Sequence, residues 1–132
     1  YRPGFVSPGS ATAAAGLVAP ELQIIDASTT IGFINTMSEF VRDDTRREND
    51  ALNTFTPDYS EELALAETPT ELAEHLSDKL TSGRLPQLTK DRIIGVVNEV
   101  PIDPDDPAED RETRVHLAIL MVISSPEFTV QR

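Results

Sequence analysis

From Leu117 to Ile123 the chain reads LAILMVI, apolar without interruption, and that run constrains the fold more than any other feature. An element that is hydrophobic on every side cannot lie on a surface, so the remaining segments must enclose it. The run sits inside Arg111–Ser125, a stretch with neither Gly nor Pro. Val115, Ile119, Val122 and Ile123 are β-branched, which makes a buried strand the competing reading, but the length of the stretch favours a helix starting near Asp110 or Arg111. Ser125 then caps a last turn with Pro126 at its first position, folding Phe128 and Val130 back on the core.

The clearest wall for this core helix begins at Thr68-Pro69-Thr70-Glu71, a capping box with proline at the first helical position. Leu72, Leu76 and Leu80 recur every four residues with Ala73 beside them, Lys79 suits the negative end of the helix dipole, and Gly83 supplies a left-handed stop. After a tight turn at Arg84-Leu85-Pro86, the residues Leu88, Ile93, Val96, Val97 and Val100 define a second amphipathic helix that ends before Pro101, so the two form a helical hairpin. Upstream, Ile31, Ile34 and Val41 form one apolar line and Phe33, Met37 and Phe40 another, which predicts a helix from Ser28 to Val41 with a broad buried stripe. Ser28 is its expected N-cap, and Gly32 costs about 1 kcal/mol against Ala unless it serves a close helix crossing. A short helical turn over Tyr59–Glu67 places Tyr59, Leu63 and Ala66 on one face.

Between these elements lie irregular stretches. Asp43–Asp58 is polar with only Leu52 and Phe55 as anchors, and Pro101–Asp110, PIDPDDPAED, combines three prolines with clustered acids. Residues 1–19 carry a single charge, at Arg2, amid scattered Gly and Pro, yet offer Tyr1, Phe5, Val6, Leu17 and Val18. They read as an extended segment laid over a larger body. The expected fold is therefore all-α, an irregular bundle of four to five helices with long loops. It has an extended N-terminal segment over residues 1–19 and a helical domain over residues 20–132.

A single-domain length of 132 residues suits one core, and 11 basic against 23 acidic side chains give a net charge of −12. That balance opposes nucleic acid and anionic bilayers as partners, and the apolar run is too short to span a membrane. With no cysteine there is neither a disulfide nor a thiolate, and no cofactor motif is evident.

The candidate sites each compete with a plainer reading. Asp103, Asp105, Asp106, Glu109 and Asp110 supply oxygens suited to calcium, but an EF-hand frame begun at Asp103 meets Pro107 at the fifth position and Ala108 where the turn needs Gly. A solvated charge run is the favoured reading, with Asp103, Asp105, Asp106 and Glu109 as the calcium candidates. His116 reads as a neutral imidazole at the core edge, and His75 as helix surface. Ser124 and Ser125 lie in no nucleophile elbow, and the pairs Asp43/Asp44 and Glu61/Glu62 read as solubilising charge, so no catalytic residue is assigned.

Five stretches carry a resemblance. Tyr1-Arg2-Pro3-Gly4-Phe5 resembles the end of "FxFYRPGY", and Leu17-Val18-Ala19-Pro20-Glu21-Leu22-Gln23-Ile24 resembles "aPEfQI". STTIGFINTM from Ser28 resembles "tsvigytNfm", TPTELAEHLSDKLTSG from Thr68 is similar to "dPaaLvdrLnllLthG", and the close from Ser124 to Gln131 is similar to "tSPEyxvQ". These are motifs of the C-terminal third of the bacterial DUF eighteen-hundred family, secreted or periplasmic proteins without an established activity. The resemblance implies an extracytoplasmic location and a C-terminal fragment of a larger domain, and it transfers no catalytic residue. The reading for function is a non-catalytic structural or interaction module, with Tyr1, Phe5, Phe33, Met37 and Phe40 contacting the rest of the same protein or another secreted protein. The alternative is one wall of a larger enzyme, possibly a hydrolase, whose catalytic groups lie upstream.

Overall fold

The computed structural model describes residues 2–9, 11–18, 27–42 and 57–129. Every regular element among them is helical: α1 (Ala11–Ala14), α2 (Ala27–Val41), α3 (Ser60–Ala64), α4 (Pro69–Thr81), α5 (Gln87–Asn98), α6 (Pro107–Ile123) and α7 (Pro126–Thr129). The all-α expectation holds, with α2, α4, α5 and α6 as the long helices. Internal contacts divide the chain into Tyr1–Thr36 and Met37–Arg132. The first unit is less extended than the sequence suggests, because the Phe5 amide donates to the Arg2 carbonyl at 3.0 Å and α1 adds a helical turn.

The second unit is organised on α6, as its apolar run requires. Val115, Ala118, Ile119, Val122 and Ile123 are buried, and Leu117, Leu120 and Met121 are half-buried, so no residue of the run is fully exposed. Helices α4 and α5 pack on it and on each other, contributing Leu72, Ala73, Leu76, Ile93 and Val97, with Leu85 from the turn between them. Met37 and Val41, in the last turn of α2, join the same core, and the Tyr59 hydroxyl fixes that turn by donating to the Val41 carbonyl at 3.0 Å.

The start and stop signals of α4 are realised with altered bonding. Thr68 is the N-cap and Pro69 opens the helix, but the Thr68 hydroxyl lies 3.2 Å from the Leu65 carbonyl and 3.3 Å from the Glu71 carboxylate instead of capping an amide. At the other end Ser82 and Gly83 both have positive φ, 53° and 73°. The Ser82 and Gly83 amides and the Thr81 hydroxyl all converge on the Ser77 carbonyl. The left-handed stop thus begins one residue before the glycine.

Several expectations need correction. The apolar stripe of α2 is not buried: Ile31, Phe33, Ile34 and Phe40 are exposed, and only Met37 and Val41 turn inward. Helix α2 begins at Ala27, so Ser28 falls inside its first turn. A Cβ added at Gly32 would meet open space, so that glycine serves no close crossing. On α5, Leu88 is 62 % exposed and Val96 is also exposed, because the helix meets its neighbours along the narrower Ile93/Val97 line. Helix α6 starts at Pro107, earlier than Asp110, since a proline at the first helical position has no amide to lose. The Asp43–Thr56 part of the expected polar loop and Val130 lie outside the described residues.

Candidate functional site

Among the described residues, a dense gathering of chemically able side chains joins α3 to α4. His75 and Lys79 are one turn apart on α4 and so share a face. Glu62 on α3 points its carboxylate at both: Oε1 lies 3.0 Å from His75 Nε2 and 2.8 Å from Lys79 Nζ. Glu61 approaches the same two groups from the solvent side, at 3.8 Å from His75 Nε2 and 3.1 Å from Lys79 Nζ. The side chains differ sharply in exposure, 3 % for Glu62, 28 % for His75, 46 % for Lys79 and 69 % for Glu61. A buried carboxylate therefore anchors a cluster whose outer members reach water.

Burial pushes the Glu62 carboxyl up, but hydrogen bonds from Lys79 and His75, its backbone bond and the ammonium charge outweigh it. The net result lies below its ordinary value of 4.5. Lys79 is shifted above 10.5 by its bonds to Glu62 and then Glu61. Glu62 Oε2 is buried without a hydrogen-bond partner among the described residues. Ligand atoms of Glu61, Glu62 and His75 all lie within 4.8 Å of one another, so this trio can converge on a cation, and Lys79 stands against the same oxygens.

Sequence reading missed this site, taking Glu61/Glu62 as solubilising charge and His75 as surface. The available signal was spacing. Tyr59, Glu62, Leu63 and Ala66 follow i, i+3, i+4, i+7, so the face assigned to Tyr59, Leu63 and Ala66 carries Glu62 as well. A carboxylate on an inward face needs a partner, and His75/Lys79 at i, i+4 was the available one.

The calcium candidates Asp103, Asp105, Asp106 and Glu109 are all exposed. Asp103 Oδ1 accepts the Asp105 amide at 2.9 Å, and Asp110 Oδ2 accepts the Asp103 amide at 2.7 Å, so these carboxylates shape the loop entering α6. Glu109 instead lines a cleft of about 380 Å³ with Glu112, Thr113, His116 and residues of the last turn of α2. His116 is half-buried there, edge-on to Tyr59 with ring centroids 5.4 Å apart. Ser124 is exposed and Ser125 buried. The Ser125 carbonyl accepts the Phe128 and Thr129 amides, while its hydroxyl has no hydrogen-bond partner among the described residues, so the expected side-chain cap is replaced by a backbone one.

Arg114 also escaped the sequence reading. Its Nε and Nη2 donate to the Val100 carbonyl at 2.9 and 2.7 Å, and Nη1 donates to the Ala66 carbonyl at 3.1 Å. One guanidinium thereby ties the exits of α3 and α5 to α6. Of the expected contact residues, Tyr1 lies outside the described residues, Phe5 and Met37 are half-buried, and Phe33 and Phe40 are exposed. In comparisons with known proteins, no family model, no curated protein and no solved structure matches this chain.

Proposed function

We propose that this chain is a non-catalytic interaction module of an extracytoplasmic bacterial protein, with α2 as its docking element. The observation that carries the reading is the exposure of Ile31, Phe33, Ile34 and Phe40, between 39 % and 59 %, on a helix whose span holds one charged residue, Glu39. Large apolar side chains gathered on one helix are costly in water and are stabilised by a partner surface. The net charge of −12 sets repulsion against a second copy of the chain. The occupant that fits is a protein surface with an apolar centre and a basic rim, on another part of the same polypeptide or on another secreted protein. The extracytoplasmic location rests on the resemblance to the DUF eighteen-hundred family.

The test is photo-crosslinking in the producing bacterium, with a benzophenone side chain at Phe33 or Phe40 and at exposed Arg92 as control. The expected result is one adduct from the two α2 positions alone, carried on a peptide rich in apolar and basic residues, recovered outside the cytoplasm and lost with Ile34→Asp. Adducts formed equally from Arg92, or none from α2, overturn the proposal. A second reading, the wall of a larger enzyme, is favoured by the cleft that joins His116 to Glu109 and Glu112. It predicts that His116→Gln abolishes an activity of the full-length protein while leaving the fold intact by circular dichroism.

A further inference from the structure

We propose that Glu61, Glu62 and His75 bind a divalent cation of the zinc class, and that the Lys79 ammonium and the metal compete for the same two carboxylates. The donor set is the first argument: two carboxylates with one imidazole is a combination suited to zinc and its first-row neighbours, and it leaves a fourth position for water. Geometry is the second. A tetrahedral ion with nitrogen and oxygen donors sets them about 3.4 Å apart. From His75 Nε2 the two carboxylate oxygens lie at 3.0 and 3.8 Å, on either side of that spacing.

The independent observation is Glu62. Its side chain is 97 % removed from solvent, yet Oε2 is buried with no hydrogen-bond partner among the described residues. An orphaned buried carboxylate oxygen is expensive, so His75 and Lys79 leave the Glu62 carboxylate with acceptor capacity that a bound cation would draw on. Access is provided on the other side, where Glu61 is exposed and Lys79 is half in water, so the ammonium can swing out as the ion enters. In the metal-free protein Lys79 supplies the positive charge that the carboxylates require, 2.8 Å from Glu62 and 3.1 Å from Glu61.

Competition gives the proposal a test that an ion pair alone cannot mimic. The chelator-treated full chain is titrated with zinc chloride by calorimetry, its melting temperature is followed, and cobalt(II) is added separately to read the visible absorption of a tetrahedral site. The expected result is one zinc per chain, a raised melting temperature, and cobalt bands that disappear in His75→Gln and persist in His116→Gln. Lys79→Met should lower the metal-free melting temperature but bind zinc roughly tenfold more tightly, because the competing charge is gone. If Lys79→Met weakens zinc binding, or if His75→Gln leaves it unchanged, the proposal is overturned. An equal thermal shift from magnesium at the same concentration also overturns it, since that is the response of a chain with net charge −12 to any divalent ion. Circular dichroism of each variant confirms that folded protein is being compared.

Discussion

Helices α2 and α3 have exchanged the surfaces their compositions suggest. The apolar α2 leaves Ile31, Phe33, Ile34 and Phe40 toward water, while the five-residue α3, SEELA, buries a glutamate. The difference teaches that a helical face is defined by what lies against it. Glu62 is tolerated inside because His75 and Lys79 reach it from α4, and of the α2 stripe only Met37 and Val41 join the core. Burial of charge is local chemistry solved by two specific partners. Exposure of apolar surface is a demand left for a partner to meet.

The largest effect that separates the two situations comes from apolar truncation. Leu76→Ala, on the α4 face that packs the core, removes a side chain only 1 % exposed and should cost about 2–5 kcal/mol in urea unfolding. Ile31→Ala, on α2, should stay within about 0.5 kcal/mol, since little burial is lost and Ala is the better helix former. A loss at Ile31 comparable to that at Leu76 would mean that α2 is covered after all, and the contrast would collapse.

Next in size is the charged side of the comparison. Glu62→Gln keeps the shape but removes the charge that His75 and Lys79 face, and should cost about 2–3 kcal/mol; that is less than for a fully buried pair, because Lys79 can escape into water. The sign of the pH dependence follows from the lowered carboxyl. Its contribution is present above the ordinary value of 4.5 and is lost as pH falls through the lower folded value, so the gap between wild type and variant should close in acid. A gap that widens in acid would show that the carboxyl is raised, not lowered, and that burial dominates over its partners.

What could be read from the chain and what could not follows the same division. Thr68-Pro69, the Leu72/Leu76 spacing and the turn around Gly83 all lie within one segment, and each is a local instruction, so α4 was legible end to end. The LAILMVI run likewise carries its own demand for enclosure. The inward face of Glu62 was legible in the Tyr59/Leu63/Ala66 spacing, but its pairing was not, because its partners stand 13 and 17 residues away and periodicity does not weigh a distant imidazole or ammonium. Arg114 was hidden for the same reason: it meets carbonyls 14 and 48 residues away. For α2 the stripe was readable, but spacing along a helix carries no information on whether another element covers it.

The smallest expected effect sharpens the point, because it repeats the chemistry with a different setting. Lys90 Nζ lies 2.7 and 2.8 Å from the two carboxylate oxygens of Glu74, a closer bidentate arrangement than any in the Glu62 cluster. By distance alone this pair linking α4 and α5 should be the stronger. Lys90 is 14 % exposed, but Glu74 is 52 % exposed, so its carboxylate keeps about half of its contact with water. Lys90→Met should therefore cost no more than about 1 kcal/mol, and that cost should shrink further in molar salt, where exposed charges are screened within a few ångströms. Glu62→Gln should be nearly indifferent to the same salt, since counterions cannot reach a carboxylate that is 3 % exposed. If the two variants instead showed equal costs and equal salt dependence, the depth of Glu62 would contribute nothing, and the cluster on α3 and α4 would be one more surface ion pair.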